Sequence, residues 1–116
     1  MEENGILEQT NLDPVFLNAL HTEGPKAIAV VVDRKGSTPV KTGAIMCVNA
    51  LGQSFGTIGG GCGEHEVLRK ALEVLSDKKD MFLSVDMTND FAGEEGMVCG
   101  GTMDVIIRYV PGKVEI

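Results

Sequence analysis

The chain has 116 residues, 43% of them hydrophobic and 23% charged, with a net charge of −7. That composition suits one globular domain with a modest core. The negative balance argues against nucleic acid or an anionic membrane as a partner. No apolar run reaches transmembrane length and the N-terminus lacks a charged segment followed by an apolar one, so a cytoplasmic protein is expected. The three cysteines form no C-x-x-C pair and no disulfide framework, which points to free thiols in a reducing compartment.

Residues 1–10 read as a loose, polar N-terminal segment of a single domain spanning 1–116. A first helix is expected over Pro14–His21, with Asp13 as N-cap, Pro14 at the first helical position and Gly24-Pro25 as the stop. Ala27–Val32 is a continuous apolar, β-branched run, the pattern of a central strand buried on both sides. Gly36-Ser37-Thr38-Pro39 is turn chemistry, and Ala44–Val48 is a second apolar strand. Asn49–Gly52 reads as a hairpin turn into a strand over Gln53–Ile58. A glycine turn, Gly59-Gly60-Gly61-Cys62-Gly63, runs into an amphipathic helix over Glu64–Leu75. Leu68, Ala71, Leu72 and Leu75 form its apolar face, and Glu66/Lys70 and Arg69/Glu73 its i,i+4 pairs. Strands over Met81–Met87 and Met103–Val110 flank a glycine- and acid-containing loop that carries Cys99-Gly100-Gly101. The expected architecture is mixed α/β: a single small domain with a mixed sheet of about five strands and two helices.

Strand, glycine turn and helix start follow one another around Cys62. A helix N-terminus offers free N–H groups to an anion and lowers a thiol pKa, so Cys62 stands where a cysteine becomes reactive. The opposing view is a small buried thiol, and the neighbouring Glu64 and Glu66 oppose a thiolate and repel phosphate. Cys99 precedes Gly100-Gly101 in a separate loop, and the two Cys-Gly elements could meet at one pocket; Cys47 reads as core. Ser37 and Thr38 could donate hydroxyl and amide groups to a ligand or simply form a turn. The glycine turn lacks the spacing of a dinucleotide fingerprint and the Lys-Ser/Thr of a P-loop. Cys62-x-x-His65 alone falls short of a zinc pattern, so no metal site is assigned. His65 reads as a surface residue or one that supports a ligand from behind, and His21 as a C-terminal capping residue. No nucleophile–base–acid triad can be assembled, so a binding protein is favoured over an enzyme.

Three motifs in order, Gly36-Ser37-Thr38-Pro39 with Gly43-Ala44-Ile45-Met46, then Gly59-Gly60-Gly61-Cys62-Gly63-Glu64, then Cys99-Gly100-Gly101-Thr102-Met103-Asp104-Val105, resemble the N-terminal domain of the XdhC/CoxI family. The resemblance covers about Phe16 to Val110. It implies an accessory protein that binds the molybdenum cofactor, a pterin dithiolene phosphate, and serves a xanthine dehydrogenase-type apo-enzyme. It maps the family's cofactor-linked cysteine onto Cys62 and implies a cofactor site of Cys62, Gly60, Gly61, Ser37, Thr38, Cys99 and Gly100. The family often carries basic residues where this chain has Val40 and Ile45. Members typically continue into a Rossmann-like domain, so a partner chain supplying that domain is a further expectation. A homodimer is another, since a small domain can leave an apolar face to be covered. The alternatives are a thiol-dependent or sulfur-carrying enzyme using Cys62, and an assembly subunit without a ligand.

Overall fold

The computed structural model describes residues 13–38, 40–59, 61, 63–88 and 100–114. The order of elements is α1 (Pro14–His21), β1 (Lys26–Lys35), β2 (Ile45–Asn49), β3 (Ser54–Thr57), α2 (Glu64–Asp77), β4 (Met81–Asp86) and β5 (Thr102–Val110). The five strands form one sheet in the order β3-β2-β1-β5-β4, with β1 at its centre as its apolar run requires. The mixed α/β class with two helices and five strands stands, and within it the strand sense is uniform, since each neighbouring pair is antiparallel.

Local chemistry accounts for the elements. Asp13 Oδ1 accepts from the Phe16 N–H (2.9 Å) with Pro14 at the start, so α1 is capped as its sequence indicates. Its C-terminal end is closed by Thr22, whose N–H and hydroxyl both donate to the Ala19 carbonyl, rather than by His21. The Asn49 side chain closes the β2–β3 hairpin by accepting from the N–H groups of Leu51 and Gln53. Glycine at 63 provides the left-handed residue (φ 80°) from which α2 departs.

The two helices lie on opposite faces of the sheet. On one face α2 packs Val67, Ala71 and Val74 against Ala27, Ala29, Val31, Val85, Met103, Val105 and Ile107, all buried. The buried stripe of α2 is therefore turned from the expected one. Leu68 and Leu75 flank it, and Leu72 is 43% exposed. Val67, Ala71 and Val74 recur at helical spacing just as the leucines do, so periodicity alone does not select which stripe is buried. The ion pairs are i,i+3, Glu66–Arg69 and Lys70–Glu73, rather than i,i+4.

On the other face α1 lies chiefly over β2 and β3, burying Phe16, Ala19, Leu20 and Cys47 with Ile28 of β1, Ile45 and Phe55 beside them. β1 is thus fully buried on the α2 face but only half-buried at Ile28 and Val30 on the other, and Val32 is exposed. This corrects the expectation of burial on both sides. The cross-strand row Val30–Ile106–Phe82 lies on the uncovered part, where Phe82 is 61% exposed.

One charge is inside. Lys26 is fully buried and its Nζ donates to three carbonyl oxygens, of Thr22 (2.8 Å), Gly24 (2.9 Å) and Gly112 (2.6 Å). The ammonium ties the α1–β1 turn to the end of β5 and uses all three of its donors. Burial pushes the nearby Cys47 thiol up, while Lys26 pulls it down less strongly. Lys26→Met strands three carbonyls and should destabilise by on the order of 2–4 kcal/mol. Cys47→Ser places a hydroxyl in the α1 core and should cost about 1–3 kcal/mol. Urea unfolding of both variants measures these losses, and a midpoint unchanged from the parent would contradict either assignment.

Candidate functional site

The motif-bearing loops gather at one end of the sheet. β1 and β3 end there and β2 and β5 begin there, because Lys35 pairs with Thr102 and Thr57 with Ile45. The Gly100 N–H donates to the Ser37 carbonyl (2.9 Å), and the Met87 N–H donates to the Gly101 carbonyl (2.9 Å). Thr38 Oγ1 accepts from the Val40 N–H (3.2 Å) and lies 3.9 Å from the Met87 sulfur. A β-carbon at Gly59 would sit 2.8 Å from Val40 Cα, and one at Gly63 2.7 Å from Met103 Cε. The loop after β1, the glycine turn before α2 and the entry to β5 are therefore in mutual contact.

The tightest of these approaches is backbone on backbone. A β-carbon at Gly36 would fall 2.8 Å from Gly101 Cα, and one at Gly101, which has φ 86°, would run into the Lys35 carbonyl oxygen. Glycine is required at 101 on both grounds.

Of the residues expected to bind the cofactor, Ser37, Thr38, Gly61 and Gly100 are described, and the structure joins Ser37 to Gly100 directly. Cys62, Gly60 and Cys99, and with them the expected meeting of the two Cys-Gly elements, lie outside the described residues. Val40 is fully buried under the turn, and Ile45 is half-buried at the start of β2, so both of these apolar residues serve packing.

Glu64 has a role that its charge alone did not suggest. Its Oε1 accepts from the Thr57 hydroxyl (2.7 Å) and the Ile58 N–H (3.3 Å), and Thr57 Oγ1 in turn accepts from the Gly59 N–H (3.2 Å). The carboxylate at the first residue of α2 reaches back across the glycine turn and fixes its width. Glu66 is engaged by Arg69 in an ion pair. Both glutamates that oppose an anion in the sequence are thus already partnered.

A cleft of about 400 Å³ adjoins the turn. Gly61 and Gly63 line it from the turn, His65, Glu66 and Arg69 from α2, and Ser84, Val85, Asp86 and Met87 from β4. Its volume lies in the range of small-molecule sites, about 300–1,000 Å³. The β4 wall carried no motif; β4 becomes a wall only because it is the edge strand next to the α2 N-terminus. The Asp86 carboxyl is held below its usual range by the Thr88 hydroxyl and then by the Thr88 N–H, both bonded to Oδ1 (2.6 and 3.0 Å). Ser84 Oγ donates to Asp104 (2.7 Å). Among the described residues no group of three or more His, Cys, Asp or Glu side chains is placed to hold a metal ion, and no helix is long and apolar enough to cross a membrane.

Residues 19–86 match the family model for the XdhC and CoxI family. The chain belongs to the XdhC and CoxI family. The match contains the first two motifs, and the Cys99-Gly100-Gly101 loop lies beyond it. Among curated proteins, this XdhC/CoxI domain is 41% identical over 83 residues to the uncharacterised protein YqeB of Escherichia coli, covering 72% of this chain and 15% of that protein. Among solved structures, it resembles a Bacillus halodurans protein described as a xanthine dehydrogenase, with a TM-score of 0.64 and 27% identity over 81% of this chain and 29% of that one. The chain thus spans a minor part of the length of both relatives.

The packing separates two classes of glycine at the site. Gly101→Ala should destabilise the XdhC/CoxI domain by on the order of 2–3 kcal/mol. Gly61→Ala meets no atom within 4 Å and should leave stability within about 0.5 kcal/mol of the parent. Denaturant midpoints of the two variants, measured side by side, test this. Equal losses would show that the Gly36–Gly101 apposition does not hold the loops.

Proposed function

We propose that this chain binds the molybdenum cofactor and presents it to a xanthine dehydrogenase-type apo-enzyme as an accessory protein without turnover of its own. The observation that carries this reading is the gathering of the motif loops at one sheet end beside a cleft of about 400 Å³. Family membership and the description of the Bacillus halodurans relative as a xanthine dehydrogenase support it.

The residues present fit such a group in three respects. The cleft has room for a pterin with its side group. Gly61 is open to its surroundings, so the backbone there is free to approach a ligand. The turn leads into a helix of 14 residues whose N-terminal amides favour an anionic group such as a phosphate. The molybdenum cofactor supplies redox chemistry once it is in its enzyme; the work of this chain is to hold it. Cys62 stands between Gly61 and the N-cap Gly63 and would offer a thiolate as an anchor. Ser37, Thr38 and Gly100 do not line this cleft and would act from the neighbouring loops, which the Gly100–Ser37 bond joins, and Glu64 would keep the turn at the width that admits the ligand. Arg69 is the cationic side chain at the cleft and would face the phosphate or the ring system.

Cys62→Ser should abolish cofactor retention and leave the thermal melt unchanged. The check is pterin fluorescence and molybdenum content of protein co-expressed with cofactor biosynthesis, beside the rate at which Cys62 and Cys47 react with a thiol reagent. Full retention by Cys62→Ser, with Cys62 no more reactive than the buried Cys47, would remove the anchor role.

A further inference from the structure

The two edges of the sheet differ. β3 has four residues, and Gly56 within it takes a left-handed φ of 82°, so its outer side is not a regular strand edge. β4 keeps an unbroken register with β5 from Met81 to Asp86 and carries no proline, lysine or arginine. Among the described residues no strand pairs with its outer side. The Met87 N–H donates to the Gly101 carbonyl, which fixes the phase of that ladder. Backbone groups of an antiparallel strand point alternately toward and away from its partner. Met81, Leu83, Val85 and Met87 therefore turn theirs to β5, and Phe82, Ser84 and Asp86 turn theirs outward. A regular edge with unpaired backbone groups and a single charge is a template for another strand.

We propose that this edge pairs with the β4 edge of a second copy, antiparallel about a two-fold axis at Ser84. Chains of net charge −7 repel one another, so they need a contact poor in charge, and β4 carries only Asp86. In this register Ser84 meets the partner's Ser84, and Phe82 exchanges backbone bonds with the partner's Asp86. The two Asp86 residues are then four positions apart, ~13 Å along the strands. That exceeds the ~8 Å over which charges are felt at physiological salt. The apolar side chains of the α2 face match as well, with Leu83 opposite the partner's Val85 and Met81 opposite the partner's Met87. α2 lies chiefly over β1, β5 and β2, and it leaves Met81 and Leu83 only half-buried, so this side is open to the partner.

The pairing also completes the cleft. Its β4 wall runs from Ser84 to Met87. Antiparallel pairing sets the partner's β4 beside that stretch, so the partner's Leu83 and Met81 border the cleft on the side that one chain leaves open. The two clefts share a floor made of β5 and β4 from each copy, between the two α2 helices. The dimer does not depend on what the cleft binds. A pair of six-residue strands buries less than the ~1,200 Å² at which standard interfaces begin, so the dimer dissociates on dilution.

Sedimentation and light scattering of the full chain over a concentration series read the association. The parent should pass from monomer to twice its mass as concentration rises. Ser84→Lys sets two ammonium groups opposite each other at the axis and should raise the dissociation constant about tenfold or more. Ser84 is exposed and its backbone faces away from β5, and the new ammonium meets Asp104 where the hydroxyl did, so this variant should melt with the parent. Register is read by single cysteines, introduced with Cys62 and Cys99 replaced by serine. Ser84→Cys brings two Cα atoms to about 5.5 Å, within reach of a disulfide, and should cross-link under copper–phenanthroline. Phe82→Cys lies ~13 Å from its copy and should not. The cross-linking decides the matter even where Ser84→Lys fails to fold. A parent that stays monomeric throughout overturns the proposal and leaves the edge to a strand of another protein. A dimer that a folded Ser84→Lys does not weaken overturns it too, as does Phe82→Cys cross-linking as readily as Ser84→Cys.

Discussion

The close approach of Gly36 and Gly101 is the constraint on which the motif-bearing end of the molecule depends. β1 and β5 form the longest ladder of the sheet, and their last pair is Lys35 with Thr102. One residue further on, the two chains part into the loops that carry motifs, and they part with backbones too close for any β-carbon at position 101. This contact holds the loop after β1 against the entry to β5. The Gly100–Ser37 and Met87–Gly101 bonds then carry the contact to the end of β4. Val40, buried beneath Gly59, extends it to the glycine turn. Each loop is held by backbone bonds and apolar packing, which leaves its outward groups available to a ligand.

Charge is distributed by the same logic. A chain of net charge −7 is a poor host for an anion unless its acids are engaged elsewhere. Glu64 is engaged as the brace of the glycine turn, and Glu66 by Arg69. Asp80 accepts from the Tyr109 N–H (2.7 Å) and pairs with Arg108, closing the far end of the β4–β5 ladder. The surface pairs contribute little to stability, about 0–1 kcal/mol each.

The two faces of the sheet are covered unequally. α2 seals the β1–β5 region with short side chains, whereas α1 lies chiefly over β2 and β3. Val32 and Phe82 are left exposed as a result. The relatives matched are several times longer than the part of them that this domain spans. The core that matters for the site is the α2 face, because Met87 and Met103, fully buried there, support Gly63 from below.

Much of the architecture was legible in the residues themselves. Asp13-Pro14 starts a helix, Asn49 closes a hairpin, glycine before Glu64 starts α2, and a β-branched apolar run lies at the sheet centre. These follow from local rules that act within a few residues, so sequence determines them. The three glycine-bearing motifs also marked the loops that gather at one end of the sheet, because glycine is needed where backbones approach closely. Local rules do not decide which of two apolar stripes a helix buries, and α2 buried Val67 and Val74 while leaving Leu72 exposed. They do not reveal that Glu64 bonds across the turn, since its partners Thr57 and Ile58 come close only when β3 and α2 pack. They give β4 no functional mark at all. Ser84 and Asp86 are ordinary strand residues until the strand order puts β4 at the edge beside the α2 N-terminus, and that adjacency is set by long-range pairing with β5, a property of the tertiary structure alone.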